Sequence, residues 1–451
     1  MTKSDSFSRR QFLTGVAVTT GAALIPHDLL AEPPHAQLPL LPELVPQRII
    51  LSLTADPAHS QAVTWRTEKA LDSAQAQIAP ASAHPDFTNA AATVAATAEK
   101  VEIASGKSTG EYAARFEGLN PNSRYSYRVG DGTTWSEWNS FRTASEKPEA
   151  FRFLYLGDEQ NNIKSLWSRS IRAAYSKAPD ARFIVHAGDL LEEGYDDRLW
   201  GEWCDAMGFI SAVVPSLATP GNHDLHRARG GADSREVVSV SPLWRHHFAL
   251  PMNGPKGVEE LNEQSYCIDY QGVRFVSLDV NVYSNEAFAE SAKARVGKMQ
   301  LAWLEELLKD NPNRWTIVVQ HQPMYPIAKG RDYVEMREAL LPLYDKYHVD
   351  LVLQGHDHTY ARTHKLAGGK VVSPSQPGTI YAISVSGPKM YEIEEKFGTL
   401  RAKALAHTQA FQVIEVDGDA LRYNAYAIEG EQIDQFQLVK HADGTSTYTH
   451  A

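Results

Sequence analysis

The chain has 451 residues, 43% hydrophobic and 22% charged, which suits a globular protein of two packed domains and excludes a wholly disordered, collagen-like or polytopic membrane protein. Lys+Arg 44 against Asp+Glu 55 gives a formal net charge of −11, which argues against broad binding to nucleic acid or anionic lipid. Two cysteines, Cys204 and Cys267, exclude a disulfide framework and CxxC metal sites; they either pair once or stay as half-buried thiols, the preferred reading.

In chain order, Ser8-Arg9-Arg10-Gln11-Phe12-Leu13 opens an uncharged stretch from Phe12 to Ile25. A basic start before a short apolar run reads as an export signal, too rich in Thr, Gly and Ala to span a bilayer. The paired arginines followed by Phe-Leu resemble a bacterial twin-arginine signal, which implies passage through that export machinery and a periplasmic or secreted destination. Residues 1–31 are assigned to this signal and 32–47 to a Pro-rich linker. No cysteine follows the apolar run, so no lipid or membrane anchor is expected.

Residues 48–144 read as short β segments: Arg48 to Leu53, Ala62 to Thr67, Tyr112 to Phe116, Tyr125 to Val129 and Trp138 to Arg142. The Ala-rich stretch from Ala90 to Ala98 is ambiguous. Leu119-Asn120-Pro121 ahead of Tyr125 and Tyr127 resembles the corner of fibronectin type III sandwiches, with Trp65 as an opposing core aromatic.

From 150 to 440 the pattern changes. Phe151 to Leu156, Phe183 to His186, Val273 to Leu278, Trp315 to Val319 and Val349 to Leu353 are apolar runs of buried-strand type. Met299 to Leu308 and Val334 to Tyr347 are helical, the second interrupted or bent at Pro342. Alternating strands and helices predict an α/β layered domain. Phe411 to Val416, Leu421 to Ile428 and Gln435 to Val439 return to β structure and are expected to complete a second sheet.

Chemistry-bearing residues follow the buried segments: Gly157-Asp158, Gly188-Asp189, Gly221-Asn222-His223-Asp224, His321, and Gly355-His356-Asp357-His358. Ligands gather beyond the carboxyl ends of such strands, so these clusters can meet in one crevice. Carboxylate, amide and imidazole without thiolate suit Fe, Zn or Mn. The donors exceed one tetrahedral site and fit two ions sharing a carboxylate, an arrangement that activates a bridging water for phosphoester hydrolysis.

In that order, these motifs resemble the calcineurin-like metallophosphoesterases. With a fibronectin-like sandwich in front, the chain looks like the purple acid phosphatases of that superfamily, over nearly the whole mature length. The resemblance implies a β-sandwich followed by an αββα metallophosphoesterase sandwich, and a phosphomonoesterase acting through a metal-bridging hydroxide. Asp158, Asp189 and His358 would hold the first metal. Asp189 would bridge to the second, completed by Asn222, His321 and His356, while His223 would face a small phosphate-ester substrate.

There are departures. The tyrosine that gives purple acid phosphatases their colour is replaced by Glu192, and Gln160 stands where many relatives have histidine. Either Gln160, Glu192 or water then completes the first metal or its occupancy is weak, and no purple band is expected. Lys329 and Arg331 occupy the region where plant enzymes carry substrate-facing histidines; with Arg227 and Arg229 they form an anion-collecting rim or a solvated cluster. Asp224 either orients His223 or serves the local turn. His186, His226, His246 and His247 are read as structural or surface residues. The alternatives are a phosphodiesterase or nucleotide hydrolase, and a cell-surface binding protein with a vestigial metal site.

Overall fold

A computed structural model of the chain describes residues 43–103, 106–226, 239–283 and 290–449. The signal-type stretch, most of the Pro-rich linker, Arg227 and Arg229 lie outside the described residues, as does the side chain of His226. Among the described residues no helix is long and apolar enough to cross a membrane.

The front domain is a sandwich of two antiparallel layers. One holds Gln47–Ser52, Gln61–Thr67, Ser108–Phe116 and Thr97–Glu102; the other holds Ala92–Ala95, Gln75–Pro80, Arg124–Gly130 and Asn139–Arg142. The ambiguous Ala-rich stretch is therefore β structure, with largely exposed strands and no buried stripe to betray them. Trp65 is 1% exposed and stacks on Tyr112 with ring centroids 5.5 Å apart. Tyr125 pins the corner as expected, its hydroxyl accepting the Asn120 amide at 2.8 Å.

The second domain packs two sheets face to face with helices outside both. Phe151–Leu156, Ile184–His186 and Ser216–Ala218 are parallel neighbours at the centre of the first sheet. Their side chains are buried on both faces, which is why they read as unbroken apolar runs. The second sheet runs Tyr266–Tyr270, Val273–Ser277, Trp315–Val319, Leu351–Gln354, Ile380–Ile383, Tyr360–Thr363 and Arg401–Leu405. Phe153 of the first sheet meets Phe275 of the second edge to face at 5.3 Å, fixing the layer spacing.

Helices Ser168–Lys177 and Asp197–Met207 cover the first sheet, with Trp167 stacked on Trp203. Glu290–Lys309 and Val334–Lys346 cover the second through Leu304, Leu308, Met336 and Leu340. The last of these helices runs through Pro342 without interruption.

One expectation is corrected. The C-terminal strands Ala410–Asp417, Ala420–Ala427 and Gln432–Lys440 extend the first sheet instead of completing the second. Ala410–Asp417 pairs antiparallel with Phe151–Leu156, aligning Gln412 with Tyr155. The first sheet also continues forward, because Ser52 pairs with Ser216 and joins the sandwich layer to it, making eleven strands. Arg48 and Arg66 both reach Asp197, at 2.6 and 2.7 Å, and seal that junction.

Candidate metal centre

Parallel pairing sends the three central strands of the first sheet toward the same end, where they deliver Asp158, Asp189 and Asn222. From the second sheet, Trp315–Val319 leads to His321, and Leu351–Gln354 leads to His356 and His358. The crevice therefore lies beyond the carboxyl ends of interior strands of both sheets. Close approach demands glycine here. A Cβ on Gly188, whose φ is +85°, would stand 2.5 Å from His321 Nδ1, and one on Gly221 would stand 2.1 Å from Asp189 Oδ1. Asp158, Asp189, His356 and His358 all adopt positive φ, at 53°, 53°, 75° and 49°. Left-handed backbone at non-glycine residues is costly, and it clusters where side chains must be aimed.

Two groups of buried donors result: Asp189 with His321 and His356, and Asp158 with Asp189 and His358, each within 4.8 Å. Asp189 belongs to both. Its Oδ2 lies 3.1 Å from His321 Nε2, while His356 Nδ1 lies 3.1 Å from the same nitrogen. Asp158 Oδ1 lies 3.5 Å from His358 Nε2, and its Oδ2 accepts the His356 amide at 2.6 Å. The far nitrogens are anchored: His321 Nδ1 meets Ala187 O at 2.8 Å, and His358 Nδ1 meets Lys389 O at 3.0 Å. Such outer bonds fix the ring tautomer and leave the other nitrogen as a ligand atom. His356 is the exception, with Tyr333 Oη against its Nε2.

The electrostatics are those of a pocket short of positive charge. Burial, with Asp189 close by, pushes the Asp158 carboxyl well above the ordinary carboxylate range. Burial also opposes ionisation of Asp189, but His321 overrides it and holds that carboxyl far below the usual value. For His321, burial works downward and the Asp189 charge upward, with a net rise to about 9. Burial depresses His358 to about 3 and takes His356 well below normal. Two carboxyl groups and three imidazoles in one dry pocket, with protons held on His321 and Asp158 where a cation would otherwise sit, form a donor set that cations satisfy. Asp158 Oδ1 and Asn222 Oδ1 are buried without a hydrogen-bond partner, as oxygen donors facing an ion would be. The residues fit a metal.

The surrounding residues settle several alternatives. Asp224 spends its carboxylate on backbone amides and not on the His223 ring. Its carboxylate takes the amides of Asp189 and Gly221 at 2.8 Å each and of Leu190 at 3.1 Å, tying the two loops together. Burial and the Asp189 charge push it up to about 8. His223 is oriented instead by Glu192 O, 2.9 Å from Nδ1, and by its own amide on Asp189 Oδ1 at 2.9 Å.

The Glu192 carboxylate is held by Asn161 at 2.8 Å and Lys389 at 3.6 Å and belongs to neither donor group. Gln160 is fully buried, with both side-chain amide atoms unpartnered. Arg331 is a brace against His356 O and Asp357, whereas Lys329 is exposed. Cys204 and Cys267 are free buried thiols.

Sequence reasoning missed two contributors. Glu159, next to Asp158 in the chain, is fully buried and links His186 and Trp203, each at 2.6 Å. Its place beside Asp158 was the available signal. Tyr333 had none, because it stands twelve residues past His321, at the start of helix Val334–Lys346, outside every motif.

Known proteins share the order of the two domains. Residues 46–143 match the family described as purple acid phosphatase, N-terminal domain, and residues 151–360 match calcineurin-like phosphoesterase. An uncharacterized protein of Mycobacterium tuberculosis is 28% identical over 282 residues, covering 56% of this chain and 51% of that protein. Purple acid phosphatase 23 of Arabidopsis thaliana is 26% identical over 286 residues, covering 55% of this chain and 57% of that one. The chain thus spans about half the length of the curated relatives it matches. In fold it resembles purple acid phosphatase PPD1 of yellow lupin, with TM-score 0.70 and 19% identity over 89% of this chain and 75% of that one. The sequence matches, the fold and the convergence of the motif residues agree: the chain belongs to the calcineurin-like metallophosphoesterase superfamily and is built as its purple acid phosphatases are, with the sandwich domain first.

Proposed function

We propose that the chain is an exported, metal-dependent phosphatase acting on phosphate monoesters. The observation that carries this reading is the sharing of Asp189 between two buried donor groups. Asp158, Asp189 and His358 would hold one cation, with Gln160 or water beside it. Asp189, Asn222, His321 and His356 would hold the second, and Fe, Zn or Mn suits these donors. When bound, such a pair supplies Lewis acidity to phosphoryl oxygens and an activated water.

The chain's own residues do the rest. His223 offers Nδ1 to the Glu192 carbonyl, which leaves Nε2 as the atom that carries a proton to the departing alkoxide. Its side chain is 29% exposed, so a substrate can reach it. Asp224 holds the amides of Asp189, Leu190 and Gly221, keeping the Asp189 carboxylate and the Asn222 amide in register as substrate binds.

Export belongs to the same proposal, supported by Arg9-Arg10 ahead of the apolar run. Folded export suits a site assembled from distant strands, because cations can bind only after folding. Lysine in place of both arginines should leave the protein in the cytoplasm, read by cell fractionation.

The test of the activity is elemental analysis of protein purified without added metal, then reconstitution with single ions. About two equivalents of metal and faster cleavage of p-nitrophenyl phosphate than of its diester are expected. A well-folded, metal-free and inert protein overturns the proposal. Preferred diester cleavage reassigns the protein as a phosphodiesterase.

A further inference from the structure

The strands that deliver Asp158 and Asp189 begin at the opposite end of the first sheet. At about 3.3 Å per residue, Phe151 and Asp158 stand roughly 20 Å apart. Beside Phe151 lies a cavity of about 430 Å³, within the size range of small-molecule sites. Its lining brings Arg124 and Arg142 from the sandwich together with Arg152 and Arg182, and Asp180 is the one carboxylate among the lining residues.

These arginines are poorly compensated. Arg124 and Arg142 are direct cross-strand partners, and like charges placed opposite each other destabilise a strand pair. Arg182 donates its amide to Arg152 O at 2.8 Å, so the other two are adjacent as well. Asp180, at 2.5 Å, and Glu415, at 3.9 Å, answer Arg152. Arg142 bonds the neutral Asn122, at 3.0 and 3.2 Å. Among the described residues no side-chain acceptor meets Arg124 or Arg182. In a chain of net charge −11, this cavity is a local reversal of sign.

The wall adds a second chemistry. Phe209 is 59% exposed, an unusual state for a large apolar side chain, and Tyr175 meets it edge to face at 5.4 Å. Guanidinium groups pair with phosphate through forked hydrogen bonds, and the exposed Phe209 ring, with half-buried Tyr175 at its side, offers a face for stacking. We propose that this cavity is a second ligand site, binding a nucleotide with its phosphates on Arg124, Arg142 and Arg182 and its base on Phe209 and Tyr175. The inference is independent of the phosphatase reading.

The test is calorimetric titration with α,β-methylene ADP, which a phosphomonoesterase cannot cleave at its terminal phosphorus, and with inorganic phosphate. The Arg124→Ala/Arg182→Ala variant should bind the nucleotide at least tenfold more weakly, with unchanged melting temperature and p-nitrophenyl phosphate turnover. Phe209→Ala should weaken the nucleotide severalfold and leave phosphate binding alone. His223→Ala should leave the arginine-dependent binding intact. Should the double variant fold poorly, Arg124→Gln alone should still weaken the nucleotide severalfold. The proposal falls if the arginine variants bind as the wild type does, if binding follows His223 instead, or if phosphate binds as tightly as the nucleotide.

Discussion

Asp189 places Oδ2 at 3.1 Å from His321 Nε2 and accepts the backbone amide of His223 on Oδ1 at 2.9 Å. One carboxylate thus faces the donor cluster with one oxygen and fixes the proposed acid with the other. Displacing Asp189 would disturb both cation binding and proton delivery.

Asn222 contributes a buried oxygen with no hydrogen-bond partner. Asn222→Ala should lower turnover and metal content together, with metal affinity falling at least about tenfold. Elemental analysis paired with steady-state kinetics checks this, and full occupancy at unchanged activity would contradict the assignment.

His223→Ala should slow the reaction by about 10²–10⁴-fold for alkyl phosphates, whose leaving alkoxides need a proton. The loss should be much smaller with p-nitrophenyl phosphate, whose phenolate leaves unaided. Equal losses on both substrates would assign His223 to binding.

Asp224 satisfies three buried amides, and each orphaned donor costs about 1–3 kcal/mol. Asp224→Ala should therefore reduce stability by several kcal/mol in urea unfolding, roughly the sum of those terms. Asp224→Asn retains part of the bonding and should lose less. A neutral alanine variant would show that the loops hold without it.

Glu111 is 4% exposed, and burial pushes its carboxyl up to about 7 against the pull of Arg66. The unfolded chain releases that proton near the ordinary carboxylate value, so between roughly pH 4.5 and 7 the folded state binds more protons. Its contribution is present in full below that window and is lost as pH rises through it. Glu111→Gln should remove up to about 3 kcal/mol of this decline. Urea unfolding on both sides of the window measures it, and a wild-type-to-variant difference independent of pH would refute it.

Glu192 occupies the place of the colour-giving tyrosine and is held by Asn161 and Lys389. The iron-loaded, oxidised protein should show no visible charge-transfer band. A purple band in the absorption spectrum would mean that another tyrosine reaches the ion.

The motif residues were legible because the chemistry sits at the ends of strands buried on both faces, such as Phe151–Leu156 and Trp315–Val319. Such strands announce themselves as apolar runs, and glycine marks the turns after most of them. Thr97–Glu102 was hidden because it is exposed almost throughout and carries no apolar stripe. The sheet to which Ala410–Asp417 belongs was hidden for another reason. Either open edge could accept an antiparallel strand, and only the packed structure selects Phe151–Leu156. Asp224 was half legible: its nearness to the motif was visible, but its backbone partners depend on how two distant loops meet.

The pairing of Ser52 with Ser216 has a practical bearing on anyone wishing to trim this protein to a minimal catalyst. Cutting ahead of residue 150 would strip the neighbour from Ser216–Ala218 and bare a raw flank of backbone beside the crevice loops. It would also strand Asp197 without its two guanidinium partners and uncap the carbonyls of Ala212 and His247, which Tyr127 and Thr64 now hold at 2.7 Å. Such a fragment should clump through its new margin, and a soluble miniature would need that margin redesigned.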